Sequence, residues 1–202
     1  MFKKTILASV IISLVSLASH AVEITGGFKL GAAKLEGTDK TNSRSASQDE
    51  TTAFGAVWVE TAIPNSPVVV GLEYIPLNNK IDVTNSTTSG TYEVTAKNHT
   101  TLYLQGSTEV AGNTVFGKVG YVYVGLGNAK STTQTITSSD SSVSGYTVGL
   151  GVQKDISGGQ LDFVRVGIDY IDYGSLEARS STTTYKGDAN AYTAYVSFGK
   201  KF

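Results

Sequence analysis

The chain has 202 residues, a formal net charge of −1, no cysteine and only 16% charged residues. The missing thiols exclude disulfides and thiolate-held metals, and no basic cluster supplies the footprint that a nucleic-acid partner needs. The charged fraction lies below the roughly 25% of ordinary soluble domains, while glycine (22) and tyrosine (11) are abundant, a balance that suits strands facing lipid.

Residues 1–21 read as a secretory signal. Lys3 and Lys4 precede an apolar run from Ile6 to Leu17, and Ser19-His20-Ala21 is a small-residue cleavage site. The apolar run falls short of the roughly 20 residues that a spanning helix needs. Cleavage after Ala21 removes two lysines and no acid, leaving residues 22–202 as one exported, mildly acidic domain.

Eight stretches then alternate apolar and polar residues, the pattern of strands with one apolar face. They cover Glu23–Leu35, Thr52–Ala62, Val68–Leu77, His99–Glu109, Thr114–Gly127, Ser144–Asp155, Leu161–Gly174 and Ala191–Phe202. Most reach the roughly 9–11 residues that a tilted strand needs to cross a bilayer. Tight connections rich in Pro, Gly and Asn (63–66, 110–113 and 156–160) alternate with long Ser- and Thr-rich ones (37–51, 78–98, 128–143 and 175–190). This rhythm predicts an all-β, eight-stranded antiparallel up-and-down transmembrane β-barrel with short periplasmic turns and long extracellular loops. Within the second long connection, Ile81-Asp-Val83 and Tyr92-Glu-Val94 keep the alternation. That segment reads either as a hairpin rising above the membrane or as an unstructured loop.

Charge sets which face is which. An Arg or Lys facing lipid at mid-bilayer costs roughly 2–4 kcal/mol, so strand-centre charges point into the lumen. With Lys29, Glu73, Lys118, Arg165 and Asp169 inward, the outward faces carry residues such as Leu30, Leu72, Val119, Leu150, Ile168 and Val196. The second strand is ambiguous, because Glu60 inward takes Phe54 and Trp58 with it. The same parity puts Tyr74, Tyr123, Tyr146, Tyr170 and Tyr192 outward near the external strand ends, as an aromatic girdle at headgroup level. Phe202 marks the opposite rim. The rival is a soluble eight-stranded lipid-binding barrel, with its apolar face inside. The Gly, Thr, Ser and isolated charges of the other face suit a packed lumen better than a wet exterior.

The chain resembles the OmpA/OmpX-like family of small eight-stranded outer-membrane proteins, in topology over nearly all of residues 22–202. The most specific element is the last strand, Tyr195-Val-Ser-Phe-Gly-Lys-Lys-Phe202, where Tyr195, Phe198 and Phe202 look like the terminal signal read by barrel-assembly machinery. Lys200 departs from that pattern, which usually has an apolar or aromatic residue there; near an interface this costs about 0–1 kcal/mol. The resemblance implies a Gram-negative outer-membrane location, with outer-membrane lipid and lipopolysaccharide as surroundings. It also implies periplasmic chaperones and the assembly machinery as partners in biogenesis. The peptidoglycan-binding domain of longer relatives is not expected.

An eight-stranded barrel is just wide enough for interior side chains to fill it. Lys29, Glu73, Lys118, Arg165 and Asp169, with Tyr103, Gln105 and Tyr195, are expected to form a polar plug, structural or, if ion-pair partners exchange, gating. After residue 21 one histidine remains, His99, expected at the external mouth of the fourth strand. Its neighbours lack the His-x-Ser pattern of lipid A deacylases, so no catalytic, cofactor-binding or metal residue is expected. The expected function is a non-enzymatic barrel contributing to envelope structure and surface contact or adhesion, with any extracellular ligand held by the loops. The alternative is a narrow channel for water, ions or small solutes.

Overall fold

The computed structural model describes residues 23–39, 46–85, 90–127, 130–131, 135–156, 159–180 and 184–202. The expected signal segment, residues 1–21, lies outside the described residues. The strands are β1 (Ile24–Asp39), β2 (Ala46–Ala62), β3 (Val68–Asn85), β4 (Gly90–Val110), β5 (Asn113–Leu126), β6 (Lys130–Ser131), β7 (Ile136–Ser139), β8 (Ser142–Asp155), β9 (Phe163–Ser180) and β10 (Thr184–Lys201). All but β6 and β7 are long. The long strands pair antiparallel in the order β1-β2-β3-β4-β5-β8-β9-β10, and β10 returns to β1 from Thr25↔Lys201 to Asp39↔Gly187. The sheet therefore closes into an eight-stranded barrel, which satisfies backbone groups that hydrocarbon cannot.

The exterior is apolar and the interior charged. Leu30, Val57, Val119, Leu150, Val166 and Ile168 are each more than half exposed, whereas Lys29, Glu60, Glu73, Lys118, Arg165 and Asp169 are buried. A soluble barrel has the reverse arrangement, since water rewards charge outside and apolar groups within. The ambiguous second strand is settled: Glu60, Trp58 and Ala56 are buried, and Val57 and Val59 face outward.

The long connections differ from expectation. The strands run well into them, so that Asp39 pairs with Ala46, Asn85 with Gly90, and Arg179 with Thr184. The segment carrying Ile81 and Tyr92 is the rising hairpin, not a loop. In the third connection, β6 pairs with β4 and β7 with β9, extending the wall where β5 and β8 have ended. Ser and Thr are compatible with strands, but with polar residues on both faces they conceal the two-residue period. The result is a collar of paired strands continuing past the tyrosine level.

At the other end the β4–β5 turn is two residues long, between paired Val110 and Asn113. Ala111 and Gly112 both adopt left-handed φ, 52° and 76°, the type I′ geometry that matches strand twist and favours Asn-Gly. Alanine is strained there. Ala111→Asn is expected to stabilise the barrel by up to about 1 kcal/mol, read as a higher urea midpoint in detergent; an unchanged or lower midpoint counts against this.

Candidate functional site

The lumen holds two charged tiers. Near the periplasmic end, Arg165 grips Glu60 through two parallel bonds of 2.7 and 2.8 Å, and its Nε donates to Gln153 at 2.8 Å. Planar guanidinium and carboxylate match each other in this geometry. The Tyr103 hydroxyl also donates to Glu60, at 2.8 Å. The guanidinium lies among the rings of Phe163 (4.7 Å), Trp58 (4.9 Å) and Phe116 (5.5 Å), which shield it from water and attract it electrostatically. Trp58 Nε1 donates to Ser197 Oγ at 2.8 Å. Glycines in the wall make room for these rings: a Cβ at Gly71 would run into Tyr103, and one at Gly199 into Phe163.

One layer toward the external side, Lys29 meets Glu73 at 2.6 Å and Asp169 at 3.3 Å, while Lys118 meets Asp169 at 2.8 Å. Lys29 also sits 4.0 Å from the Tyr195 ring. The five expected lumen charges thus come together, with Glu60 as the sixth. Sequence reasoning did not include Glu60 in the set, although a signal was present. Lys29, Lys118 and Arg165 outnumber Glu73 and Asp169 by one, and a buried charge needs its counterion. Between the tiers remains a cavity of about 10 Å³, room for about one water. Asp169 Oδ1 is buried without a protein partner among the described residues.

Above the plug the interior turns apolar. Ala96, Val122, Val124, Val143, Ile171 and Ala191 form a buried cluster flanked by Leu35, Leu126, Tyr173 and Leu176. His99 corrects an expectation: it is not a residue of the loop mouth but is buried in the lumen. Its Nε2 is 3.2 Å from Thr101 Oγ1, and its ring meets Tyr173 edge-on at 5.8 Å.

The wall itself is incomplete on one side. β2 and β3 pair from Ala62↔Val69 to Val57↔Tyr74. Among the described residues no pair joins the continuing runs Ala46–Ala56 and Ile75–Asn85, although each stays paired on its other side. Pro76 falls where pairing stops and has no N–H to give. There the β3–β4 ladder also shifts register between Ile75 and Asn78. The outer lip on β2 is small, with Ala53 and Gly55 exposed; the inner side carries buried Ala56 and Ile75 and half-buried Phe54. Pro76 inside an expected strand was the sequence signal for this seam.

The tyrosines expected to form a girdle face outward. Tyr74, Tyr146 and Tyr192 are exposed, Tyr123 and Tyr170 half-buried, and Tyr121, opposite Tyr146, joins them. Tyr170 contacts Tyr146 and Tyr192 at ring distances of 6.5 and 5.2 Å. Of the last-strand residues, Tyr195 points inward, Phe198 stacks outward on Phe28 at 5.1 Å, and exposed Phe202 donates its N–H to Ile24 O at 2.8 Å. In the collar, the carboxyl of Glu177 is held below its ordinary pKa by its hydrogen bond to Lys186, 2.6 Å away, and by Arg179.

A closed antiparallel barrel with an apolar outer band and a neutralised polar interior has the fold of small outer-membrane barrels. The structure is similar to that of the outer membrane protein OprG from Pseudomonas aeruginosa, with a TM-score of 0.61 and 15% identity, over 89% of this chain and 95% of OprG. More distantly it resembles two further barrels. For the attachment invasion locus protein Ail of Yersinia pestis the TM-score is 0.41 at 9% identity, over 88% of this chain and 99% of Ail. For the outer membrane protease OmpT from Escherichia coli it is 0.43 at 9% identity, over 89% of this chain and 97% of OmpT. No family model and no curated protein matches the sequence, so the ground shared with OmpA/OmpX-like proteins is the small-barrel fold.

Trp58 is the single tryptophan and lies inside the plug, so its fluorescence reports plug integrity. Glu60→Gln leaves Arg165 without a counterion and is expected to cost about 3–5 kcal/mol, seen as unfolding at lower urea. The pair Glu60→Leu with Arg165→Met is expected to regain most of that loss. A Glu60→Gln barrel as stable as the parent would contradict this account of the plug.

Proposed function

We propose that this protein is a non-enzymatic outer-membrane barrel that passes small apolar molecules from the external end of its lumen sideways into the outer leaflet. The observation that carries this reading is the unpaired β2–β3 seam, which opens at the level of the apolar interior and above the charged plug. Ile75 at the seam pairs with His99, and the His99 ring meets Tyr173, one of the residues packed against the apolar cluster, so the seam begins where that cluster does. A molecule entering there meets apolar walls, and leaving through the seam lets it avoid the ion-paired tiers below. Transfer from that interior to lipid costs it little, because both are apolar. An ion has no such route: the plug leaves space for about one water and carries no net charge to attract it.

His99 supports the non-enzymatic reading. It is turned into the lumen against Tyr173, away from the outer face where a lipid substrate would lie. Export by the N-terminal signal, assembly through the aromatic last strand and contact with lipopolysaccharide at the tyrosine level belong to the same proposal. A second reading, surface contact or adhesion, is favoured by the collar. Paired strands reaching Asn85↔Gly90 and Arg179↔Thr184 present a shaped surface at the external side.

The lip of the seam provides the test. A Cβ at Gly55 would meet nothing closer than a Leu30 methyl at 3.6 Å, so a larger side chain fits on the outer wall. Cells making Gly55→Trp are expected to take up naphthalene several-fold more slowly than cells making the parent, at equal barrel levels. Equal uptake would sink the sideways route. In planar bilayers the parent is expected to show no discrete openings; steady conductance steps would instead support a through-channel.

A further inference from the structure

Resting on the sideways route, we infer that Tyr74 and Asn98 are positioning residues that set the aperture of the seam, by latching the β3–β4 hairpin away from β2. The Tyr74 hydroxyl donates to Asn98 Oδ1 at 2.8 Å. Tyr74 is the last β3 residue paired with β2, opposite Val57. Asn98 is the point at which β4 departs from regularity. The β4–β5 ladder passes from Lys97↔Gly125 to His99↔Val124 and skips Asn98; the β3–β4 ladder passes from Ile75↔His99 to Asn78↔Lys97. Asn98 has a φ of 28°, on the left-handed side that asparagine tolerates better than most residues. One hydrogen bond thus ties the place where pairing stops to the place where the neighbouring strand bends.

The hairpin beyond the bend is a single arm. Its ladder runs unbroken from Asn78↔Lys97 to Asn85↔Gly90, so a change at the bend moves it as a unit. On one side it is tied by Ala96↔Leu126 and Lys97↔Gly125 to β5 and by Tyr92↔Ser131 and Glu93↔Lys130 to β6. On its other side the run Ile75–Asn85 faces the equally unpaired β2 run Ala46–Ala56. Two such edges are templates for one another. Pro76 withholds one donor, but one missing donor does not keep two strands of this length apart. The direction of the arm does, and the bend sets that direction.

The chain contains no cysteine, so a cysteine pair placed across the seam reports closure without background. Ala53→Cys and Asn78→Cys occupy positions that would face each other if the Val57↔Tyr74 register continued. In the full-length protein in outer membranes treated with diamide, this pair is expected to remain mostly unlinked. Adding Tyr74→Phe or Asn98→Gly is expected to raise the linked fraction about fivefold, the shift that one ordinary hydrogen bond supports. Asn98→Asp keeps the acceptor and is expected to leave the fraction at the parent level. A fraction unchanged by both Tyr74→Phe and Asn98→Gly, or raised as much by Asn98→Asp, overturns the latch. If Asn98→Gly loses its heat-modifiable gel mobility, Tyr74→Phe decides alone. The linking readout does not depend on passage: equal naphthalene uptake with Gly55→Trp would end the sideways route and leave the latch standing.

Discussion

Hydrocarbon outside leaves the charged side chains of the membrane band a single direction, inward, and an eight-stranded barrel is too narrow to let water neutralise them there. Everything else in the interior follows from that constraint. Arg165 must find Glu60, and Lys29 and Lys118 must share Glu73 and Asp169. Three cations meet three anions, and aromatic faces from Trp58, Phe116, Phe163 and Tyr195 fill the space that further ions would need water to occupy. Breaking one pair strands a partner in a medium that solvates it poorly, so the network is costly to open piecemeal.

The same constraint does not extend to the external end. Above His99 the interior carries no charges of the plug and packs Ala96, Val122, Val124, Ile171 and Ala191 together. The barrel therefore has two interiors, a charged plug and, above it, a packed apolar cluster. The walls differ accordingly. Wherever β5 and β8 end early, β6 and β7 step in to pair with β4 and β9. Between β2 and β3 nothing does so among the described residues. An uncovered edge is a liability that chains usually manage. Its place beside the apolar cluster is the observation on which the proposed sideways route rests.

The sequence carried the parity of the wall almost entirely. Lys29, Glu73, Lys118, Arg165 and Asp169 marked the inner face because a lipid-facing charge is expensive, and the outward tyrosines followed from a two-residue period alone. Charge balance would also have recruited Glu60, since five residues with three cations cannot be neutral. Strand length was harder to read. Polar segments such as residues 46–52 and 175–180 lack the apolar alternation of the membrane band, yet they form strands once a neighbour supplies the ladder.

What the sequence determined by itself is a local matter: which residues alternate, which turns are tight and which face tolerates charge. These depend on the two-residue period and on the cost of burying ions. The tertiary structure alone decided which cation meets which anion across the lumen, how far the collar rises, that His99 lies inside against Tyr173, and that the wall parts between β2 and β3. Each of these depends on distances between strands far apart in the chain. Those distances are set only when the sheet curls and β10 closes on β1, a step that no single strand encodes.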